Sequence, residues 1–468
     1  MNREYDLAII GAGSGGLTAA GFAARVGARV VLVEKARIGG DCTWTGCVPS
    51  KALLKAAKTA HAARTAGQYG IGAAAPVTDM AKVRQYVRRA IDRVYRFETP
   101  DELRKKGIDV ILGAARFLDE RTISAGEETI GAKTFLIATG AHPAMPAIDG
   151  LDGVPFLTYE QIFDNERLAA HLIVVGGGPI GCEMAQAYRR LGSEVTLVAP
   201  GLLPKEEPEA SKRLEAAFVN EGIRLVCGRA RTARQEGGQI VIGTGEREIR
   251  GDVLLIASGR KPNVNGLDLD KAGVACSDKG IPVDDQLRTN VKHIYAAGDV
   301  LGGPQFTHFA GWQAFQAVRN ALLPGRNSGF PDVVPWVTFT DPEVAHAGLT
   351  EQQARAQFGE RMKVCQWEMS HTDRAISEND EDGFIKVVTL DDGTVLGATI
   401  VAGRAGETIS EFILAIRHNW KVSDLAGAIH PYPTYSTAVQ QLAADMAIEN
   451  FLAGTSGRIV RGLSKLIR

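Results

Sequence analysis

A chain of 468 residues with a formal net charge of −1 is too long for one ordinary core and has no long-range attraction for nucleic acid or acidic lipid. Hydrophobic residues make up 45% and charged residues 23%, the balance of a globular protein that divides into roughly two to four domains. The opening "MNREYDLAIIGAG" lacks the basic-then-apolar pattern of a secretion signal, and no run of about 18 apolar residues occurs, so the cytoplasm is the expected compartment.

Residues 5–10, "YDLAII", predict a strand, "GAGSGG" (11–16) a turn, and "LTAAGFAARVGA" a helix. Gly11, Gly13 and Gly16 fit G-x-G-x-x-G: the first makes the tight turn, the second admits a pyrophosphate to the backbone, and the third lets helix and strand pack closely. Phosphates then sit on the unpaired amides of the helix N-terminus. A second strand, "RVVLVE" (29–34), ends on Glu34, where a carboxylate can accept ribose hydroxyls.

"GGDCTWTGCVPSK" (39–51) follows, with Gly40, Cys42, Cys47 and Lys51. A zinc site needs four ligands, and no second close Cys or Cys–His cluster exists. A structural disulfide closing so short a loop restrains little of the unfolded chain. A redox dithiol is the expected use, with no metal ligands, and both sulfurs are expected at the start of a helix over 48–63, whose positive end favours thiolate. Cys182, Cys227, Cys276 and Cys365 are isolated and read as small buried residues. The basic run "RQYVRRAIDRVYR" (84–96) reads as a solvated helix face.

Further along, "FLIATGAHP" (135–143) is a strand closing on a small-residue turn at Thr139 and Gly140. "HLIVVGGGPIGCEMAQAYRRLGSEVTLVAP" (171–200) repeats strand, Gly176, Gly178, Gly181, helix and strand. "LLIASGRKPN" (254–263) ends a strand at Gly259, and "TNVKHIYAAGDV" (289–300) sets Gly298 and Asp299 after another, where the carboxylate could meet a ribose or a ribityl chain. Two complete dinucleotide sites imply two dinucleotides, and electron passage between a nicotinamide and a flavin is the common reason to hold both. The second nicotinamide-domain strand ends on Ala199 and Pro200 instead of an acid. That weakens strict NAD use, but no arginine pair clamps a 2′-phosphate either, Lys205 being the nearest cation, so these residues leave NADPH or NADH as the nucleotide.

In this order and spacing the chain resembles the flavin-dependent pyridine nucleotide–disulfide oxidoreductases, which include dihydrolipoamide dehydrogenase, glutathione reductase and mercuric reductase. The resemblance is nearly end to end, and "GGDCTWTGCVPSK" looks closest to the mercuric-reductase-like members. It implies an α/β fold with two Rossmann-like domains, FAD over 1–148 and 272–332 and NAD(P) over 149–271, plus a C-terminal α/β domain over 333–468 that forms a homodimer. It further implies that Cys47 is the flavin-facing thiol and Cys42 the interchange thiol. Lys51 would pair with Glu183 beside the flavin.

The family's soluble-disulfide reductases carry a His-Pro-Thr element with a glutamate close behind. Here "HPYPTYSTAV" (430–439) places Tyr432 where that base belongs and Thr437 where the glutamate belongs, with His430 two positions early. A phenol of ordinary pKa about 10 is a poor proton shuttle at neutral pH. On a strand His430 would share the face of Tyr432, but in a turn it need not. His371, Asp373 and Arg374 gather in "WEMSHTDRAISEND" (367–380) as a candidate acceptor-binding group. Mercuric reductases also carry a vicinal cysteine pair near the C-terminus, and none is present here. The tail "SGRIVRGLSKLIR" (456–468) reads as a basic amphipathic helix for docking, with membrane-surface contact as the alternative. The expected activity is NAD(P)H oxidation passing electrons through Cys42 and Cys47 to a small disulfide, soft-metal or quinone-like acceptor. The alternatives are dihydrolipoamide dehydrogenase and a non-catalytic FAD-bound subunit.

Overall fold

The computed structural model describes residues 4–72, 74 and 76–453. The tail at 456–468 lies outside the described residues. The chain divides into two compact units, Met1–Pro200 with Val226–Pro331, and Gly201–Leu225 with Asp332–Arg468.

In the first unit, β1 (Glu4–Ile10) is an apolar run buried on both faces, as a central parallel strand must be. It pairs in parallel with β2 (Val30–Glu34) on one side and with Glu128–Ile137 on the other. Ile108–Leu112 extends the sheet beyond β2, and Ile294–Ala296 also joins Glu128–Ile137 in parallel. The strands Ala115–Asp119 and Thr122–Ala125 are added antiparallel. Helix α1 (Ser14–Arg25) covers one face through Ala19, Ala20 and Ala23, all without solvent exposure, and small residues there let the helix Thr307–Leu322 pack beside it.

A second parallel arrangement centres on His171–Val175, flanked by Glu194–Ala199 and Val253–Ile256. The helix Pro179–Leu191 follows the central strand and is buried over most of its length. A three-stranded antiparallel sheet, 232–236, 239–243 and 248–251, lies in the same unit.

The second unit is a five-stranded antiparallel sheet in the order Trp336–Thr338, Glu343–Gly348, Val395–Ala402, Phe384–Leu390, Met362–Glu368. Its apolar face meets helices Ser410–Arg417 and Thr437–Ala453 through Phe412, Val439 and Leu442. The whole is mixed α/β, as the sequence predicts. Among the described residues no helix is long and apolar enough to cross a membrane.

One charge in this unit is surprising. Lys386, in the middle of an interior strand, is 2% exposed. Its ammonium meets Glu207 at 3.0 Å, Glu209 at 3.2 Å and Glu351 at 2.7 Å. The other oxygen of the buried Glu207 accepts the Glu351 amide at 2.6 Å. The cluster therefore fastens the helix Pro208–Asn220 and the helix Glu351–Phe358 to the sheet. Lys386→Met leaves the Glu207 carboxylate buried without its cation, which costs about 3–5 kcal/mol. Urea unfolding of the variant should show a midpoint well below that of the wild type. An unchanged midpoint would mean that the cluster does not hold these helices.

Candidate active site

Two glycine turns are built to one plan. In the first, Gly11 has φ +101°, and a Cβ there would lie 2.4 Å from the Ala138 carbonyl oxygen. A Cβ on Gly16 would collide with the Gly11 carbonyl oxygen, whereas one on Gly13 would meet nothing closer than Gly40 Cα at 3.8 Å. In the second, Gly176 has φ +126° and faces the Ala257 carbonyl, Gly181 faces the Gly176 carbonyl, and Gly178 faces open space. No side chain caps either following helix. Each turn thus presents helix N-terminal amides beside a position open for close approach, the donor set a pyrophosphate requires. The residues fit a dinucleotide at both places.

Glu34 ends β2 as predicted and is 8% exposed. Its oxygens accept the Ala12 and Ala36 amides at 2.8 Å each, which orients the carboxylate and leaves lone pairs for a ribose. Thr139 and Gly140 are tied to Asn263: the Thr139 hydroxyl donates to the Asn263 carbonyl at 2.8 Å, and the Asn263 amide donates to the Gly140 carbonyl at 2.9 Å. Gly259, at φ +120°, and Gly298, at φ +80°, are turns at strand ends. The Gly298 amide donates to the buried Gln313.

Sequence reading overlooked Arg260. Its guanidinium reaches Asp41 at 2.5 Å and Asp299 at 3.1 Å, and lies over the Tyr159 ring at 5.0 Å. Asp299, expected to face a ligand hydroxyl, has this cation as a neighbour, while burial pushes its carboxyl upward. The signal was on the page, since Arg260 directly follows Gly259, but nothing local says where that turn points.

Cys42 and Cys47 enter on different helices, a correction to the single-helix expectation. Gly39 and Gly40 adopt positive φ and start the short α2 (Gly40–Trp44), which holds Cys42. Cys47 is the first residue of α3 (Cys47–Thr65). Both sulfurs are free thiols here, with a hydrogen bond between them. That bond from Cys42 is the first cause that lowers the Cys47 thiol to about 6. The Thr307 hydroxyl, 3.1 Å from the Cys47 sulfur, and the Lys51 ammonium act the same way, against burial and Glu183. Cys42 is pushed well up by the same hydrogen bond and by burial. The two sulfurs titrate as a coupled pair, with the hydrogen bond between them favouring the anion on Cys47.

Lys51, one turn into α3, places its ammonium 2.9 and 3.0 Å from the two oxygens of Glu183, on the helix Pro179–Leu191. Glu183 is nearly buried, and the Lys51 ammonium offsets the cost of burying its carboxylate.

Tyr432 and His430 belong to the second unit and lie in a loop, not on a strand, so they share no strand face. Tyr432 is exposed and donates to Asp373 at 2.5 Å, which raises its phenol and makes it a still weaker acid. Asp373 is thereby joined to Tyr432, whereas Arg374 pairs with Glu378 and His371 lies edge-on to Trp367. His430 has a carboxylate partner after all: its Nε2 is 2.7 Å from Glu411, while Nδ1 faces the Ala428 carbonyl at 3.0 Å. Thr437 instead donates to the Thr434 carbonyl. Of the remaining cysteines only Cys182 is buried. Cys227 and Cys276 are exposed and Cys365 is half-buried, which corrects the expectation that all four are core.

Comparison with known proteins agrees with this geometry. The family model of the pyridine nucleotide-disulphide oxidoreductases matches residues 5–314, and the dimerisation-domain model of the same family matches 334–443, which supports a homodimer. A dihydrolipoyl dehydrogenase of Thermus scotoductus is 37% identical, covering 94% of this chain and 97% of that protein. A mercuric reductase of Streptomyces lividans is 36% identical, covering 96% and 98%. Among solved structures, the HOCl-induced flavoprotein disulfide reductase RclA of Escherichia coli superposes with TM-score 0.85 at 27% identity, covering 94% of this chain and 99% of that one. LpdA of Mycobacterium tuberculosis gives 0.87 at 28%, with the same coverage. Matches to both halves, on a fold that carries two dinucleotide cradles and a coupled thiol pair, make the chain a member of the pyridine nucleotide-disulphide oxidoreductases, enzymes that use FAD and NAD(P)H.

Proposed function

We propose that this enzyme takes electrons from NADPH and passes them through Cys42 and Cys47 to a small disulfide, soft-metal or quinone-like acceptor. The observation that carries this reading is the thiol pair itself: an acidified Cys47 beside a protonated Cys42 that opens into a cavity. We assign FAD to 1–148 with 272–332, NAD(P) to 149–271, dimer contacts to 333–468, and the cytoplasm as compartment. Gly11, Gly13, Gly16, Glu34, Gly40, Thr139, Gly140, Gly298 and Asp299 would hold FAD, and Gly176, Gly178, Gly181 and Gly259 the nicotinamide dinucleotide. The acceptor class draws on the relatives, which include mercuric reductases and a disulfide reductase solved with Cu(II).

When bound, FAD supplies a two-electron carrier between nicotinamide and dithiol. The chain does the rest. Lys51 brings its ammonium into the field of Cys47, and the two Glu183 oxygens hold that ammonium in place. Cys42 passes its proton to Cys47 and attacks the acceptor; Cys47 then closes the disulfide on Cys42. Tyr432 and His430 are the proton-donor candidates at the acceptor side.

A second reading, dihydrolipoamide dehydrogenase, is favoured by the His430–Glu411 pair, a histidine and carboxylate in hydrogen-bond contact where the aligned positions offer none. Dihydrolipoamide turnover with NAD+ that rivals every NADPH-driven reaction, and that His430→Gln abolishes, would establish it in place of the first.

In the reduced protein, ultraviolet thiolate absorbance should appear as pH rises through about 6, because the Cys47 thiol is depressed from its usual value and its anion is lost only below that point. Cys47→Ser should remove this step, and Lys51→Met should move it up by about one unit. A first thiolate appearing only in the ordinary cysteine range would contradict the acidified pair. Cys42→Ser should lower acceptor reduction by more than about a thousandfold while NADPH still reduces the bound flavin. Retention of acceptor turnover would exclude Cys42 as the outward thiol.

A further inference from the structure

Cys42 forms part of the wall of a cavity of about 410 Å³ within the first unit. The rest of the wall is uneven in a useful way. Leu17, Val48 and Val94 supply apolar surface, Trp312 a half-buried indole, and Thr307 and His308 an exposed polar rim. Glu98 is the one carboxylate, and no lysine or arginine lines the cavity among the described residues. Glu98 is half-buried and held in place: its Oε2 accepts the Thr43 hydroxyl at 2.9 Å and packs against Gly39, where a Cβ would come within 2.6 Å. Lys106, the cation acting on Glu98, donates to the Phe97 carbonyl at 3.4 Å and lies outside the lining.

We propose that the cavity beside Cys42 selects uncharged and cationic acceptors against anionic ones, with Glu98 as the specificity-determining residue. The inference rests on the reading of Cys42 as the outward thiol. An acceptor anion that enters here meets the Glu98 carboxylate with no lysine or arginine in the lining, among the described residues, to answer it, and desolvation makes that worse. A cation meets the same carboxylate and the face of an indole, which attracts positive charge. Burial raises the Glu98 carboxyl above its usual range, so the preference strengthens with pH.

With a disulfide acceptor, Cys42, its proton given to Cys47, attacks one sulfur of RS–SR; the Cys42–SR bond forms, the S–S bond breaks, and the leaving RS⁻ takes the proton from Cys47. Cys47, a thiolate again, then attacks the Cys42 sulfur and expels the second RS⁻, which takes a proton from solvent. The enzyme dithiol is oxidised by two electrons and the acceptor becomes two RSH.

The test uses the FAD-loaded dimer at about pH 8, where a carboxyl raised by burial is ionised. Three disulfides of different charge serve as acceptors: cystamine (dication), hydroxyethyl disulfide (neutral) and glutathione disulfide (dianion). The expected kcat/KM for cystamine exceeds that for glutathione disulfide by about tenfold or more, and Glu98→Gln shrinks that ratio severalfold. A second readout needs no turnover. Cationic and anionic methanethiosulfonate reagents label Cys42 in the reduced protein, with exposed Cys227 as internal reference, and the cationic reagent should win at Cys42 by a margin that Glu98→Gln reduces. Hydroxyethyl disulfide turnover that requires Cys42, together with equal rates for the two charged disulfides or a ratio untouched by Glu98→Gln, overturns the charge selection alone. Turnover that survives Cys42→Ser overturns the underlying reading as well.

Discussion

The Ala138 carbonyl oxygen leaves no room for a side chain at Gly11, and much of the active-site half follows from that one contact. Because Gly11 fits against the strand end, Gly16 can press on the Gly11 carbonyl and α1 can rise steeply from the sheet. The Ala12 carbonyl then accepts the Gly39 amide at 2.8 Å, and Gly40 lies so close to Gly13 that a Cβ would fall 2.7 Å from its Cα. Asp41 and Cys42 come next in the chain. The glycine turn whose following helix presents open amides is therefore also the footing that holds the Cys42 segment in place.

Electrostatics completes what packing begins. Two sulfurs with one proton between them would be indifferent to its position if their surroundings were alike. They are not: the Thr307 hydroxyl acts on both, but Cys47 also has the Lys51 ammonium within its field, whereas the hydrogen bond from its neighbour, burial and the neighbour's charge all push Cys42 upward against Thr307 and Ser14. Lys51 can play this part only because Glu183, on a helix from the other glycine turn, offsets the cost of a half-buried ammonium. The second cradle thus supports the chemistry placed beside the first.

Sequence reading reached the periodic and the locally closed features. Strand, glycine turn, helix and second strand are contiguous in the chain, so Gly11, Gly13, Gly16 and Glu34, and then Gly176, Gly178 and Gly181, could be named from spacing. The Lys51–Glu183 partnership came from resemblance, since 132 positions separate the two residues and no local pattern joins them. Contacts fixed by tertiary folding stayed hidden. Arg260 meets Asp41 across 219 positions, and Glu411 meets His430 from a helix whose sequence suggests only an amphipathic face. His430 lies in a loop, one of the two settings its sequence left open, with Pro431 and Pro433 on either side of Tyr432. Exposed Cys227 and Cys276 show the same limit: a lone cysteine states its chemistry but not its depth.

The lysine buried in the antiparallel sheet has a consequence for anyone dividing this protein. Its counter-ions come partly from residues 207 and 209, far upstream of the segment that begins near 332. A fragment cut at that later boundary keeps the cation and discards two of its three anions, so autonomy of the C-terminal half is an illusion of linear order. Excision would have to carry the stretch 201–225 along, or replace the ammonium with something that asks for no counter-charge.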